Sequence, residues 1–288
     1  MIRFTNDENV AYTRYLYNYI EVRQSLFICL LNQNIEESLY WAYELYYSGY
    51  KLQTCEFILD TYLLLYKEDN MNYENKLIAD LESIKKADSP LLYGNIIATL
   101  STLQYDLHKF CKKYLKIDVQ QSKLLKCKFN IELCEEYIKQ FETAHSTDKP
   151  YRFLRTNIKY PIRNHMNRLF NTLLPDYDDL YTMLRVHWVY YASKSEVWYS
   201  RIHEYTSSEV DDEKKTVDFA DDDELDDFYK KWGYDPDEET SATQIQLVGD
   251  KHNFQFGIKE FCKEYNLQIK IKKIRTNNIS ISMNRDPS

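Results

Sequence analysis

The sequence has 288 residues, with 37 Lys and Arg against 45 Asp and Glu, which gives a formal charge of -8. Hydrophobic residues make up 44% and aromatic residues 15%, a composition that excludes bulk disorder. The 5 glycines and 6 prolines are too few for collagen-like or linker-like classes, and the length favours two domains.

Hydrophobic periodicity predicts a series of helices in the first half of the chain. The predicted helices cover 9–33, 35–47, 51–67, 73–86, 90–110 and 128–143. Asn34 and Glu37 have the spacing of a capping box, and Gly49 stands where a helix ends in a left-handed residue. Short connections favour antiparallel neighbours, and no strand-like alternation precedes residue 147. We therefore predict that residues 1–147 form a domain of antiparallel helical hairpins.

The next predicted unit, 148–204, is a basic connector followed by a helical extension. Between residues 148 and 173 there are six Lys and Arg against one acid, and we interpret this as the most basic part of the chain. Ser193 and Glu196 have capping-box spacing, which predicts a break in the helical region 176–204. The candidate contact residues for phosphate, or for the acidic segment described next, are Arg152, Arg155, Lys159, Arg163 and Arg168.

An acidic segment, 205–241, follows. Sixteen acids and four lysines lie between Glu204 and Glu239, so the remainder of the chain is mildly basic. Aromatic residues are interspersed with these acids: Phe219, Phe228, Tyr229, Trp232 and Tyr234. Acidic stretches with aromatic residues often order against a basic surface or a partner. We therefore predict that the segment docks on the basic stretch 149–168 or on a partner.

The last unit, 242–288, is predicted to be a small α+β module with the order β-α-β-β. Strand-like alternation at 243–248 precedes an amphipathic helix at 253–265, and two alternating stretches flank a turn at 276–278. The predicted hairpin presents a second basic patch, which consists of Lys270, Lys272, Lys273 and Arg275. The predicted fold class is mainly α, with antiparallel helical hairpins or a bundle and this C-terminal module.

Motifs for catalysis and for cofactor binding are missing from the sequence. The glycines show no G-x-G spacing, P-loop or G-x-S-x-G elbow, and no H-E-x-x-H occurs. The nearest metal-ligand set is His108, Cys111, Cys127 and Cys134, in which the last spacing is too long for a zinc knuckle. We predict no catalytic residue, cofactor or metal.

Cysteine usage and hydropathy bear on the compartment. The six cysteines form no C-x-x-C pair and the sequence shows no signal peptide, which favours a reducing, intracellular location. The longest apolar stretch is far shorter than the roughly 20 residues that a membrane span requires. We therefore expect an intracellular protein without membrane partners.

Three aromatic-rich stretches stand out: ESLYWAYELYYSGY at 37–50, HWVYYASKSEVW at 187–198 and YKKWGYDPDE at 229–238. Together they resemble an uncharacterised protein family of large nucleocytoplasmic DNA viruses. The resemblance covers most of the chain up to about residue 240 and brings no known function or site residue. It implies a viral protein of the host cytoplasm or virus factory, and the abundance of Tyr, Asn, Lys and Ile agrees with an AT-rich genome.

A weaker similarity links 20–66 to the helical C-terminal domain of clamp-loader-like ATPases. Its helices also carry a Trp followed by a Gly between hairpins, as Trp41 and Gly49 do in this chain. The ATPase module itself is missing, so the similarity implies at most a shared helical collar.

Two function classes follow from these patterns. The first is a non-enzymatic helical interaction or scaffold protein with a protein partner. The alternative is an accessory nucleic-acid-binding factor that uses the stretch 149–168 and the C-terminal hairpin. Tyr151, Phe153 and Tyr160 lie among the arginines, a mixture suited to phosphate contact and base stacking. An enzyme whose site has no recognisable motif is a third class.

Overall fold

A computed structural model describes residues 12–121, 130–142, 160–163, 187–205, 210–232, 240–242 and 256–270, with residues 166, 169 and 235. The protein is mainly α-helical, as predicted, and its described strands are short and antiparallel. The bounds of the four predicted units stay a prediction. One hydrophobic core contains residues of the first, second and fourth units, and the other contains residues of the first, second and third.

Five helices dominate the first half of the chain: α1 Tyr19–Leu31, α2 Ile35–Tyr46, α3 Lys51–Thr61, α4 Glu74–Lys86 and α5 Pro90–Leu100. Shorter elements connect and follow them: a first π-helical turn Tyr62–Tyr66, a 3-10 turn Met71–Tyr73, α6 His108–Phe110, a second π-helical turn Cys111–Leu115, β1 Val119–Gln121 and α7 Glu135–Lys139. Helices α2 to α5 confirm the predicted order of hairpins.

Local sequence explains the ends of α2. Asn34 Oδ1 accepts a hydrogen bond from the Glu37 backbone N–H at 3.2 Å, and Asn34 Nδ2 donates to Glu37 Oε2 at 3.1 Å. Gly49 has a φ of 87°, the left-handed conformation that glycine adopts without a steric penalty. The predicted cap and stop of this helix are therefore confirmed.

Helix α1 begins later than predicted. Residues 12–18 form a tight loop in which Leu16 has a φ of 58° and the Thr13 N–H donates to the Tyr17 carbonyl at 2.9 Å. Asn18 then caps the helix, because its Oδ1 accepts from the Ile20 N–H at 2.8 Å. Every residue of α1 is buried, so the helix is central and has no solvent-facing stripe.

Two further helix predictions were too long. Helix α5 ends at Leu100 rather than Phe110, and the chain reverses until the Asp106 N–H donates to the Leu65 carbonyl at 2.8 Å. In the predicted helix 128–143, the described part is helical only in α7. In both segments, contacts with distant parts of the chain override the local periodicity.

The C-terminal residues join the core of the helical hairpins. Their two described elements are α11 Ile258–Glu264 and β4 Leu267–Ile269. Strand β4 pairs antiparallel with β1, with Val119 opposite Ile269, which corrects the expectation of no strand before residue 147. Phe261 is buried with its ring 5.8 Å from that of Phe110. The predicted strand 243–248 and the turn at 276–278 lie outside the described residues.

A second hydrophobic core forms around two tryptophans. Its elements are α8 Trp188–Ser193, α9 Glu196–His203, β2 Val210–Asp211, β3 Thr216–Val217 and α10 Asp222–Trp232. Its buried members also include Tyr12 and Leu16 from the N-terminal loop. The predicted break between α8 and α9 is confirmed, but Ser195 rather than Ser193 is the cap, because its Oγ accepts from the Trp198 N–H at 3.4 Å.

Candidate functional site

The structure describes two of the eight candidate contact residues, Arg163 and Lys270. The other six lie outside the described residues: Arg152, Arg155, Lys159, Arg168, Lys272 and Lys273. Lys270 Nζ lies 3.7 Å from Asp118 Oδ1, and the two side chains are 50% and 41% exposed. Lys270 thus lies on the surface at the end of β4, next to an acid, and the predicted basic patch stays a prediction because its other members lie outside the described residues.

Arg163 lies against α1 and α2. Its Nε and Nη2 donate to Glu37 Oε1 and Oε2 at 2.7 and 2.8 Å, and its backbone N–H donates to Ser25 Oγ at 2.7 Å. The Glu37 side chain is 2% exposed, whereas that of Arg163 is 34% exposed. Arg163 therefore neutralises a buried acid of the helical core, and its guanidinium fork is occupied.

The surroundings of Glu37 set its charge state. Burial raises the pKa of the carboxyl, but hydrogen bonds and charge from Arg163 outweigh it and bring the pKa below its ordinary value. Burial also raises the pKa of the adjacent Cys29 thiol, so this cysteine is a neutral thiol and a poor nucleophile. The contacts among Arg163, Glu37 and Cys29 therefore hold the segment around residue 163 against the helical core.

Replacing Arg163 with alanine should lower the free energy of unfolding by about 1.5–3 kcal/mol, the loss typical of hydrogen bonds to a charged group. Because the pKa of Glu37 is lowered on folding, the stabilisation should be present above the ordinary glutamate pKa and disappear as pH falls through the lowered value. Urea unfolding at pH 7 and at acidic pH measures this. Lys270→Ala is the surface control, and equal stability of Arg163→Ala and wild type would contradict the role of the pair.

A lysine-lined cavity of about 450 Å³ lies between the two π-helical turns. Its lining residues are Asp60, Leu63, Leu64, Lys109, Lys112, Lys113 and Tyr114. Lys109 Nζ pairs with Glu68 Oε1 at 2.7 Å, and Lys113 Nζ lies 5.3 Å from the ring centroid of Tyr114. Lys112 forms no ion pair with any described residue. The cavity therefore combines an apolar lining with an excess of positive charge.

Core packing positions these lysines. Phe110 and Cys111 before them, and Tyr114 and Leu115 after them, are buried. The ring of Phe110 packs 5.3 Å from that of Phe27 in α1. Because the flanking residues are fixed in the core, the two lysines between them face outward. The second π-helical turn is thus a rigid base for exposed cations.

The sequence interpretation missed this basic segment. Residues 108–128 contain seven lysines and one acid, a higher density than the six Lys and Arg and one acid at 148–173. Residues 148–173 are therefore not the most basic part of the chain, and that interpretation of the sequence was wrong. A count of lysines in a sliding window would have found the segment. Apolar residues separate its lysines, so the segment does not appear as a continuous basic run.

The acidic segment folds into an ordered unit, here called the acidic arm, residues 210–232. Phe228 and Trp232 of α10 are buried and pack on the two tryptophans of α8 and α9. Ring centroids are 5.9 Å apart for Trp188 and Phe228, and 5.4 Å apart for Trp198 and Trp232. In the described residues, the arm thus orders against an aromatic surface. Docking of the acidic arm on the basic stretch 149–168 stays a prediction, because most of that stretch lies outside the described residues.

Polar contacts fasten the arm at its edges. Tyr190 Oη and Lys194 Nζ contact Asp212 Oδ1 at 2.9 and 2.6 Å. The guanidinium of Arg201 lies 4.5 and 4.1 Å from the ring centroids of Trp198 and Trp232. Burial lowers the pKa of Arg201 to about 10, so it stays cationic at neutral pH. The arm is therefore attached by both packing and electrostatics.

The outer face of α10 is strongly acidic. Asp222, Asp223, Asp226 and Asp227 are exposed. Asp227 Oδ1 accepts from Lys230 Nζ at 3.2 Å, whereas the other three aspartates form no ion pair within the described ranges. Folding thus separates the aromatic residues, which face inward, from the carboxylates, which face solvent.

The described residues contain neither a metal-ligand cluster nor a membrane-spanning helix. Within the described residues, no group of three or more His, Cys, Asp or Glu side chains could hold a metal ion. Of the candidate set, Cys111 is buried and Cys134 exposed, both as free thiols, and Cys127 lies outside the described ranges. The helices in this part of the chain are too short or too polar to cross a membrane.

Comparison of the chain with protein-family models, with curated proteins and with solved structures finds no significant match. The resemblance to proteins of large DNA viruses therefore stays a prediction.

Proposed function

We propose that the protein is a non-enzymatic helical interaction protein, of viral origin, that binds a basic protein partner through the acidic arm. It acts as a scaffold in the host cytoplasm or virus factory. The supporting observation is the fold of the arm, in which Phe228 and Trp232 are buried while the aspartates of α10 remain exposed.

A fixed acidic face suits recognition of a basic surface. Complementary charges steer encounter and select against partners of the wrong sign. Because α10 is held by packing on Trp188 and Trp198, its carboxylates need little further ordering when a partner binds. A solvated acidic tail would have to lose that conformational freedom on binding.

A labelled Lys/Arg-rich peptide tests the acidic face. The triple variant Asp222→Asn, Asp223→Asn, Asp226→Asn should weaken binding about tenfold, since exposed ion pairs contribute about 0.2–1 kcal/mol each. Fluorescence anisotropy at several salt concentrations measures affinity, which should fall as salt rises.

The matched control removes the same charge elsewhere. Glu132, just before α7, and Glu135 and Glu136, in its first turn, are exposed acids. Their triple Gln variant should bind the peptide within about twofold of wild type. If the α10 and α7 variants bind equally well, net charge rather than the acidic arm determines affinity, and the proposal fails.

The accessory nucleic-acid-binding factor is the second candidate, favoured by the lysine-rich segment at 108–128. Lys112, Lys113 and Lys116 are exposed on or next to the second π-helical turn. Strand β1 follows that turn and pairs with β4, which Lys270 directly follows. Phosphate contacts by such lysines would make affinity depend steeply on salt. Labelled DNA and RNA in the same assay test this, and lack of binding at low salt would exclude it.

A further inference from the structure

The lysine-lined cavity is formed where the two π-helical turns meet. The first turn contributes Leu63 and Leu64, and the second contributes Lys112, Lys113 and Tyr114. π-helical turns are rare and occur frequently at functional sites, because the extra residue redirects side chains. Two such turns around one cavity therefore indicate a binding site.

The two turns are rigidly related. The Lys67 N–H donates to the Tyr62 carbonyl at 3.0 Å, which closes the first turn with π-helical spacing. The Asp106 N–H donates to the Leu65 carbonyl at 2.8 Å, which ties the approach to α6 onto that turn. The cavity walls are thus held by backbone hydrogen bonds as well as by the core.

The lining indicates the class of ligand. Lys109 is paired with Glu68, and Lys112 and Lys113 outnumber Asp60, so the lining keeps an excess of positive charge. A compact ammonium is well suited to phosphate. Leu63 is 37% exposed, an apolar side chain that a ligand body could cover. The volume of about 450 Å³ falls in the range of small-molecule sites.

We propose that this cavity binds a small phosphate monoester, with its phosphate at Lys112 and Lys113 and its apolar body against Leu63 and Leu64. The site is separate from the acidic arm, so it does not depend on the function proposed above. An alkyl and an aryl body would satisfy the same lining.

Isothermal titration calorimetry at low salt tests the ligand class. The probes are hexyl phosphate, phenyl phosphate, inorganic phosphate and the neutral hexyl glucoside. At least one ester should bind about tenfold or more tightly than both inorganic phosphate and the glucoside. Inorganic phosphate lacks an apolar body to cover the leucines, and the glucoside lacks a negative charge to pair with the lysines. The two esters distinguish an alkyl from an aryl body. If neither ester exceeds inorganic phosphate, the proposal is overturned.

Variants then locate the site. Lys112→Ala with Lys113→Ala should weaken ester binding about tenfold or more, the loss expected for charge-assisted hydrogen bonds. Lys85→Ala with Lys86→Ala, at the end of α4, removes the same charge and should leave ester binding unchanged. Wild-type binding by the Lys112 and Lys113 variant would overturn the proposal.

A variant of the apolar lining tests the contribution of the leucines separately from that of the lysines. Leu63→Ser should weaken binding of the ester while leaving the affinity for inorganic phosphate unchanged, since only the ester has a body to cover. Thermal unfolding without ligand should match wild type, because Leu63 is partly exposed. Equal ester affinity of Leu63→Ser and wild type would exclude the apolar half of the site.

Discussion

Replacing Arg14 with alanine should lower the free energy of unfolding by about 3–5 kcal/mol, because it leaves a buried carboxylate without its counter-charge. Arg14 Nε donates to Glu44 Oε2 at 2.9 Å, and the two side chains are 7% and 0% exposed. The guanidinium also donates to the carbonyls of Phe141, at 2.8 Å, and Glu142. One side chain thus ties the N-terminal loop to α2 and to the segment after α7.

The pH dependence of this loss identifies its cause. Burial raises the pKa of Glu44, and the charge of Arg14 counteracts that rise. Without Arg14 the pKa should rise further, so protonation of Glu44 relieves the variant more readily than wild type. The stability difference should therefore be larger at pH 8 than at pH 5, as measured by urea unfolding.

Two further variants separate charge from packing. Glu44→Gln in the Arg14→Ala background removes the unpaired charge and should recover part of the lost stability. Arg14→Met with Glu44→Leu replaces the pair by apolar side chains and should recover more. A deficit that is the same at both pH values and in the Gln variant would show that the Glu44 charge is not the cause.

Helices whose ends are marked by local sequence were predictable. Asn34 and Gly49 bracket α2, and Pro90 is the first residue of α5. Each of these residues acts on the backbone within a few positions, so its effect is visible in the sequence. The order α2 to α5 therefore followed from periodicity and caps alone.

Long-range pairing was not predictable in this way. Strand β1 has three residues, too few to show alternation, and its partner Leu267–Ile269 lies far along the chain. The start of α1 depends on the left-handed Leu16, a conformation rare for a leucine and imposed by the packing around the second core. Such features depend on tertiary contacts rather than on propensity.

The candidate sites were predictable in part. The spacing of Phe228 and Trp232, four residues apart in an acidic stretch, indicates a helix with one apolar face. The aromatic surface that receives them could not be inferred from that spacing. The lysines at 108–128 are visible by counting, but the cavity is not, because π-helical turns shift side chains out of the 3.6-residue period.

Replacing Trp198 with alanine should lower the free energy of unfolding of the second core by about 3–5 kcal/mol, the cost typical of a large buried aromatic side chain. Trp198 is fully buried, and its Nε1 donates to the Thr13 carbonyl at 2.7 Å. Its ring centroid lies 5.5 Å from that of Trp188 and 5.4 Å from that of Trp232. The change removes the platform on which the acidic arm is packed.

Proteolysis provides a local measurement of this effect. The arm is rich in acids, so a Glu/Asp-specific protease should cut it faster in Trp198→Ala than in wild type if its attachment depends on the aromatic core. Tyr199→Ala is the matched control, because Tyr199 is the next residue of α9 but is 48% exposed. Its stability should stay within about 0.5 kcal/mol of wild type. Equal cleavage rates in Trp198→Ala and wild type would show that two ion pairs, Lys194 with Asp212 at 2.6 Å and Lys231 with Glu204 at 2.8 Å, suffice to hold the arm.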